Sequence, residues 1–145
     1  MRLLKPYTRK VRYYETDQMG VVHHSNYARL FEEARLDYLE QAGVEYHKLE
    51  QEGVIIPVLS CSCKHKKPLR FPQEFTVVSS IKEYNGLRFR VGYKIYVPEH
   101  KSPVALGETE HCFVNTEMRP MRIGKKYPEI TKKMKELLGQ EKVEK

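Results

Sequence analysis

The segment from Tyr14 to Arg35, YETDQMGVVHHSNYARLFEEAR, places an acid, a glycine and two adjacent histidines just before a helical pattern. A carboxylate such as Asp17 can attack a carbonyl, or activate a water molecule, when it is within reach and partly desolvated. The same aspartate can instead accept backbone N–H groups within a turn. A histidine such as His24 can take part in chemistry or help to cap the helix. The segment is therefore a candidate active site in which each side chain also has a structural alternative.

The helix that follows is the best-defined element of the sequence. Apolar side chains recur at steps of three and four residues, as in the buried stripe of an amphipathic helix: Tyr27, Leu30, Phe31, Ala34, Tyr38 and Ala42. Ser25 or Asn26 is suited to the N-cap, and Gly43 to the C-terminal end. Glu32 and Arg35 lie three residues apart at the flank of the stripe, where an ion pair can form.

Strand patterns occupy most of the remaining chain. β-branched and aromatic residues predict strands at 8–14, 54–67, 75–84, 87–97 and 104–118, and Pro57 indicates an edge strand or a bulge. Asn85 and Gly86 between two of these patterns predict a hairpin. A polar connection or one more helical piece fits 44–53, and the tail, 127–145, predicts a short helix with a charged end. The order predicts an α+β fold in which a curved antiparallel sheet of about five strands wraps one long helix.

The composition is that of an ordinary globular protein, and the length predicts a single domain over 1–145. No apolar run approaches the roughly 20 residues of a membrane span, and no signal-peptide core follows the first residues, so a cytoplasmic location is expected. A net charge of +7 and a pI near 9.3 favour anionic partners such as nucleic acid, a phosphorylated cofactor or an acidic carrier protein.

Three cysteines are present, at positions 61, 63 and 112. Cys61 and Cys63 are two apart in a predicted strand and are poorly placed for a mutual disulfide. Together with Cys112 they do not match the paired spacing of a zinc site. We expect buried, reduced thiols and no metal.

The run Y-x-T-D-x-x-G-V-V-x-H-x-N-Y, followed by F-E-x-A-R, resembles the acyl-CoA thioesterases of the hotdog fold. The closest branch contains 4-hydroxybenzoyl-CoA thioesterase and the YbgC-type enzymes. The matching positions are Thr16, Asp17, Gly20, Val21, Val22, His24, Asn26, Tyr27, Phe31, Glu32, Ala34 and Arg35. A weaker match lies at 65–71, HKKPLRF. Because the order of elements also agrees, the resemblance covers nearly the whole chain.

The resemblance implies that Asp17 attacks the thioester carbonyl or activates a water molecule, and the residues do not decide between the two. It also implies that the backbone N–H of His24, at the start of the long helix, polarises the thioester oxygen. Gly20 would permit the turn and a close approach of the substrate. Other hotdog branches place their catalytic carboxylate on this helix, so Glu32 is a second candidate.

The remaining candidate contacts with the substrate match the family less closely. His23 stands where the YbgC-like branch commonly has an aromatic residue, and it could line the acyl pocket or orient Asp17 or a water. Tyr27 is a candidate substrate contact or, alternatively, a core residue facing the sheet. The family lays the coenzyme A nucleotide near a hairpin and the adjacent strand, here Asn85, Gly86, Arg88, Arg90 and Lys94. The arginine-rich turn of the 4-hydroxybenzoyl branch is absent.

The predicted function is hydrolysis of an acyl-CoA thioester to a free acid and coenzyme A, where coenzyme A belongs to the substrate and no cofactor is needed. The resemblance implies a homodimer or homotetramer, with acyl carrier protein as a further possible partner. The main alternative is a hotdog module that binds acyl-CoA or an acyl carrier protein without catalysis. Nucleic-acid binding rests on charge alone, and a dehydratase of this fold needs a His–acid pairing that is not found. The acyl group stays undetermined.

Overall fold

The structure, a computed structural model, describes residues 4–138. In chain order the elements are β1 (Tyr7–Lys10), α1 (Tyr27–Gln41), α2 (Tyr46–Gln51), β2 (Val58–His65), β3 (Glu74–Tyr84), β4 (Arg88–Tyr96), β5 (Ala105–Cys112) and α3 (Pro128–Leu137). Two short 3₁₀ turns, Tyr13–Glu15 and His24–Asn26, lie on either side of Asp17. The charged end predicted beyond the last helix, 139–145, lies outside the described residues.

The five strands form one antiparallel sheet in the order β1-β3-β4-β5-β2. Strand β2 precedes β3 in the chain, yet it pairs with β5 at the opposite edge of the sheet. Strands β1 and β2 are therefore the two edges, and the sheet does not close. The predicted α+β hotdog architecture, with one long helix against a five-stranded sheet and a short C-terminal helix, is confirmed.

Helix α1 packs its predicted apolar stripe against the sheet. Leu30 and Phe31 are fully buried, and the Phe31 ring stacks on Tyr93 of β4 with centroids 4.5 Å apart. On the neighbouring strand, a Cβ atom at Gly107 would lie 2.2 Å from the Phe31 ring. The missing side chain of Gly107 therefore allows the close approach of helix and sheet.

Three strands are shorter than the sequence pattern predicts. Strand β1 ends at Lys10, because the chain turns at Tyr13–Glu15. Strand β2 begins only after Pro57, which has no N–H to donate to a ladder. Strand β5 ends at Cys112, and Val114 then forms isolated bridges with other segments. The predicted strand over 87–97 is confirmed as β4, with its apolar residues buried on one face.

The prediction of buried cysteines is wrong for Cys61. Its side chain is exposed and that of Cys63 is half-buried, whereas Cys112 is buried. The reason is the position of β2 at the edge of the sheet, where helix α1 does not cover it. Burial, followed by the proximity of Cys61, raises the pKa of Cys63 to about 11. None of the helices within 4–138 has the length and apolar character that crossing a membrane would require.

Candidate active site

Asp17 begins a tight turn that we call the Asp17 turn, residues 16–22. Asp17 N–H donates to the Val21 carbonyl at 2.9 Å, and Gly20 N–H donates to the Asp17 carbonyl at 3.0 Å. Gly20 has a φ of 79°, and no atom lies within 4 Å of where its Cβ would be. Glycine is thus favoured there by backbone conformation and not by crowding, as predicted for the turn.

The Asp17 carboxylate is held through one of its two oxygens. Oδ1 accepts from Met19 N–H at 2.8 Å and from Val21 N–H at 3.3 Å. Oδ2 has no hydrogen-bond partner within residues 4–138, and the side chain is partly exposed. The structural alternative of a turn aspartate is therefore present, but it uses only half of the carboxylate.

The 3₁₀ turn His24–Asn26, which leads into helix α1, is capped by His23, a residue that the sequence does not indicate. His23 Nδ1 accepts from Ser25 N–H at 3.1 Å, and the rings of His23 and His24 stack with centroids 4.3 Å apart. Asn26, one of the two expected positions, is the N-cap residue of α1, but its side chain makes no capping hydrogen bond. In the described part of the chain no acceptor lies opposite His24 N–H.

Asn26 and Glu15 join the Asp17 turn to the helix start. Asn26 Nδ2 donates to the Glu15 carbonyl at 2.8 Å, and His23 N–H donates to the same carbonyl at 2.9 Å. Glu15 lies two residues before Asp17 in the chain. These bonds therefore fix the carboxylate of Asp17 relative to the first turn of α1.

A half-buried arginine, Arg9, holds this junction from the β1 side. Arg9 contacts the Glu15 carboxylate at 2.6 Å and the Glu33 carboxylate of α1 at 2.9 Å. Its side chain is 11% exposed. Burial lowers the pKa of Arg9, but the hydrogen bonds that Arg9 donates to Glu15 and Glu33 prevail and raise it. Burial raises the pKa of Glu15, while Arg9 and the Arg12 N–H prevail and lower it. The junction is an ionised, hydrogen-bonded support for the candidate site.

Comparison with known proteins identifies the family. The model of the thioesterase-like superfamily matches residues 11–138, which is most of the chain and includes the Asp17 turn. The chain belongs to this superfamily. The resemblance to hotdog thioesterases, and the prediction of a thioester hydrolase, are thereby confirmed at the level of the family.

Individual relatives agree with this assignment. A crystal structure of the DHNA-CoA thioesterase of Staphylococcus aureus matches with a TM-score of 0.86 and 31% identity, covering 97% of this chain and 96% of that one. The 1,4-dihydroxy-2-naphthoyl-CoA hydrolase of Thermosynechococcus vestitus is 31% identical over 109 residues, 74% of either chain. The structure of protein TT1821 of Thermus thermophilus matches with a TM-score of 0.83 and 35% identity, covering 92% of this chain and 98% of that one.

In this thioesterase-like chain the second candidate carboxylate, Glu32, lies apart from the Asp17 junction. Its side chain is exposed, and the neighbouring Glu33 is the helix carboxylate that pairs with Arg9. The ion pair considered between Glu32 and Arg35 is not the contact that the helix makes. Arg35 is buried and donates to the hydroxyls of Tyr46 and Tyr93.

Arg35 begins a buried polar chain that sequence reasoning missed. Arg35 Nη1 donates to the Tyr93 hydroxyl at 3.1 Å, which lies 2.6 Å from Thr109 Oγ1, which lies 2.7 Å from His111 Nε2. Burial, followed by the charge of Arg35, lowers the pKa of His111 to about 3, although the Pro57 backbone raises it. His111 is thus neutral, and this chain supports the core without reaching the Asp17 turn.

Tyr27, a candidate substrate contact, is buried. Its ring meets His65 of β2 edge-on, with centroids 4.5 Å apart. Burial, followed by the nearby Cys63, raises the pKa of Tyr27 to about 12. This position agrees with the core alternative stated for Tyr27.

The predicted hairpin between β3 and β4 is present. Asn85 Oδ1 accepts from the N–H groups of Leu87 and Arg88 at 2.9 and 2.7 Å, and Gly86 has a φ of 87°. The Asn85 side chain therefore stabilises the turn. Its role towards coenzyme A stays a prediction, as does that of Gly86.

The two arginines of β4 differ in how far their charge is neutralised. Arg88 is 57% exposed and lies 3.5 Å from Glu110. Arg90 is paired with both Glu83 and Glu108. Arg88 is consequently the better placed of the two for a phosphate.

Large apolar side chains surround the Asp17 turn on the surface. Tyr13, Tyr14 and Met19 are each more than 70% exposed, and Phe71 meets Tyr13 edge-on with centroids 5.5 Å apart. Exposed apolar groups gathered around a polar turn are typical of a surface that meets a ligand or another protein. Across residues 4–138, no three His, Cys, Asp or Glu side chains converge as a metal site would require.

Proposed function

We propose that this chain hydrolyses acyl-CoA thioesters at the Asp17 turn. As a general base, Asp17 takes a proton from water, the hydroxide attacks the carbonyl carbon, and the C–S bond breaks with protonation of the leaving thiolate. As a nucleophile, Asp17 attacks the carbonyl carbon, the C–S bond breaks and the leaving thiolate is protonated, and water then hydrolyses the resulting anhydride to free acid and Asp17 carboxylate. The His24 N–H would stabilise the oxyanion in both routes.

One observation carries this proposal. A carboxylate fixed through Oδ1 is joined by Glu15 and Asn26 to the helix start, and among residues 4–138 neither its Oδ2 nor the His24 N–H has a hydrogen-bond partner. Nucleophile and oxyanion donor then come from two rigidly connected segments, as acyl transfer requires. The positive end of the helix dipole favours the developing negative charge.

The substrate class follows from the family, and the acyl group needs a screen. Two relatives are named for 1,4-dihydroxy-2-naphthoyl-CoA chemistry, so aromatic acyl-CoAs belong beside short and long aliphatic ones. An acyl-carrier-protein thioester is a further donor to test, because an acidic carrier suits a chain of net charge +7. Arg88 is our candidate for the phosphates of coenzyme A, with Asn85 and Gly86 shaping its hairpin. His23 and Gly20 would lie beside the thioester.

We also propose that the protein is a homodimer or homotetramer. Edge strand β2 is exposed along nearly its whole length and begins with Val58 and Leu59, which are 50% and 44% exposed. A long exposed edge with apolar side chains is suited to pairing with a second copy. Sedimentation of wild type and of Leu59→Lys tests this, and a monomeric wild type would exclude it.

The test of the catalytic role is Asp17→Asn. The amide oxygen can still accept from Met19 and Val21, so the turn should survive while the charge is lost. We expect hydrolysis of the best acyl-CoA to fall by about 10²- to 10⁴-fold. Asp37→Asn on α1 is the matched control and should keep its activity.

Two results would contradict the assignment. Full activity in folded Asp17→Asn removes Asp17 from the reaction, and a large loss in Glu32→Gln would transfer the role to that acid. Tight acyl-CoA binding without turnover by wild type would instead support the non-catalytic binding module.

A further inference from the structure

A groove of about 550 Å³ crosses the face of the sheet that is turned away from α1. The strand register explains how it forms. Ser80, Gly92 and Ser62 lie in one row across the sheet, with Glu108 between the last two. Small side chains in the middle of a sheet leave a depression, and its volume is in the range of small-molecule sites.

The walls of this groove carry an excess of positive charge. Lys64, Lys82 and Lys94 line it, and Glu108 is the one acid among its lining residues. The Glu108 carboxylate is already paired with Arg90. Lys64 and Lys94 are exposed, and within 4–138 neither forms an ion pair. The groove therefore has two ammonium groups available to an anion.

The positions of the two lysines favour an anion with more than one charge. Lys64 and Lys94 lie in one row, on either side of Leu106. They are two strands apart, or about 10 Å between Cα atoms. Their flexible side chains can meet on one phosphate or on neighbouring phosphates, whereas a single carboxylate would leave one of them unused.

The rest of the lining is suited to a flat organic group. Leu106 and Val78 offer apolar surface, and the Tyr96 ring lies next along β4. The hydroxyl groups of Ser62 and Ser80 can hydrogen-bond a polar edge. An aromatic heterocycle joined to phosphate combines these features.

We propose that this groove binds a phosphorylated nucleotide. It lies on the opposite face of the sheet from α1 and does not include the Asp17 turn, so the proposal does not depend on the proposed hydrolysis. The nucleotide is a free one, with a purine ring and phosphates, and this site is separate from the coenzyme A site proposed at Arg88.

The experiment is calorimetric titration of the full chain with ADP at low salt. The charge variant is Lys64→Gln with Lys94→Gln, and its matched control is Lys101→Gln with Lys125→Gln, which remove two exposed lysines outside the groove. A volume variant, Ser62→Tyr, fills the groove without changing charge. We expect the charge variant to weaken ADP binding about tenfold, the volume variant to weaken it as well, and the control to bind like wild type.

Kinetics with acyl-CoA separate this site from the substrate site. If the charge variant weakens ADP binding and leaves the KM for acyl-CoA unchanged, the groove holds a free nucleotide. If the charge variant also raises the KM for acyl-CoA, the groove is part of the substrate site, which would contradict a separate nucleotide site.

Three further results would overturn the proposal. The wild type does not bind ADP, the lysine control variant loses as much ADP binding as the charge variant, or a second copy of the chain closes the groove. In the last case ADP does not bind and the charge variant changes the sedimentation of the protein. Because binding is measured without turnover, an inactive but nucleotide-binding protein would contradict only the proposed hydrolysis.

Discussion

The two halves of helix α1 differ in whether the polar groups near them are hydrogen-bonded. At its start, Asp17 Oδ2 and His24 N–H lack partners within 4–138, beside exposed apolar side chains. In its second half, Arg35 is 3% exposed and donates to Tyr46 and Tyr93. A polar group whose hydrogen-bonding capacity is unused and accessible is available to bind a ligand. A polar group whose hydrogen bonds are made in the core stabilises the fold.

The difference has an energetic basis. A buried cation is costly unless hydrogen bonds replace its water, and Arg35 obtains them from two tyrosine hydroxyls, without a carboxylate in its hydrogen bonds. At the other end, Arg9 is half-buried and is paired with Glu15 and Glu33, which join the Asp17 turn to β1 and α1. We therefore expect changes near the helix start to affect activity, and changes near Arg35 to affect stability alone.

The largest effect after the loss of Asp17 itself is expected from Arg9→Gln. This variant leaves the carboxylates of Glu15 and Glu33 without their cation, which should lower the free energy of unfolding by about 3 kcal/mol. It should also lower kcat, because the Asp17 turn loses its support. Urea denaturation and acyl-CoA hydrolysis measure the two effects. The exposed Arg12→Gln is the control, and equal losses there would argue against a specific junction.

Tyr93→Phe tests the second half of the helix. Removing the hydroxyl leaves Arg35 and Thr109 short of a partner, so the free energy of unfolding should fall by about 1 to 3 kcal/mol. Hydrolysis per folded molecule should stay at the wild-type level. Tyr96→Phe on the other face of β4 provides a comparison, and a large fall in kcat of folded Tyr93→Phe would break the distinction between the two halves.

Gly107→Ala tests the packing of helix α1 on the sheet. The added methyl group would overlap the Phe31 ring, and the shift required should cost about 1 to 3 kcal/mol of stability. The double variant Gly107→Ala with Phe31→Leu should recover part of that loss. If Gly107→Ala alone is as stable as wild type in thermal melts, the close approach of helix and sheet is not needed.

The last prediction concerns His111, whose effect on stability is absent at neutral pH and grows in acid. Its pKa is about 3 in the folded protein against an ordinary 6.5, so below pH 6.5 the unfolded chain binds the extra proton. Stability should therefore fall as the pH drops from about 6.5 towards 3, by up to about 1.4 kcal/mol per pH unit. Denaturation at several pH values should show a shallower slope for His111→Asn, and an unchanged slope for the exposed His100→Asn. Equal slopes in wild type and His111→Asn would show that His111 does not titrate in this way.

Local patterns predicted much of this fold because they depend on neighbouring residues. The stripe from Tyr27 to Tyr38 and the Asn85-Gly86 hairpin each follow from periodicity or turn chemistry within a few positions. The predicted ends of the strands were less accurate, because strand ends depend on contacts between segments. The end of β1, for example, follows from the pairing of Glu15 with Arg9 and with the Arg12 N–H.

The α+β order, the long helix and the Asp17 motif with its family followed from the sequence. The packed structure was needed to show that His23 caps the 3₁₀ turn before α1, that Asn26 donates to the Glu15 carbonyl, and that Arg9 pairs with Glu15 and Glu33. It also decided which arginine is buried, because Arg35 reaches Tyr93 across 58 positions of the chain. Hydrogen bonds between residues far apart in sequence leave no periodic pattern, so their partners appear only once the helix has packed on the sheet.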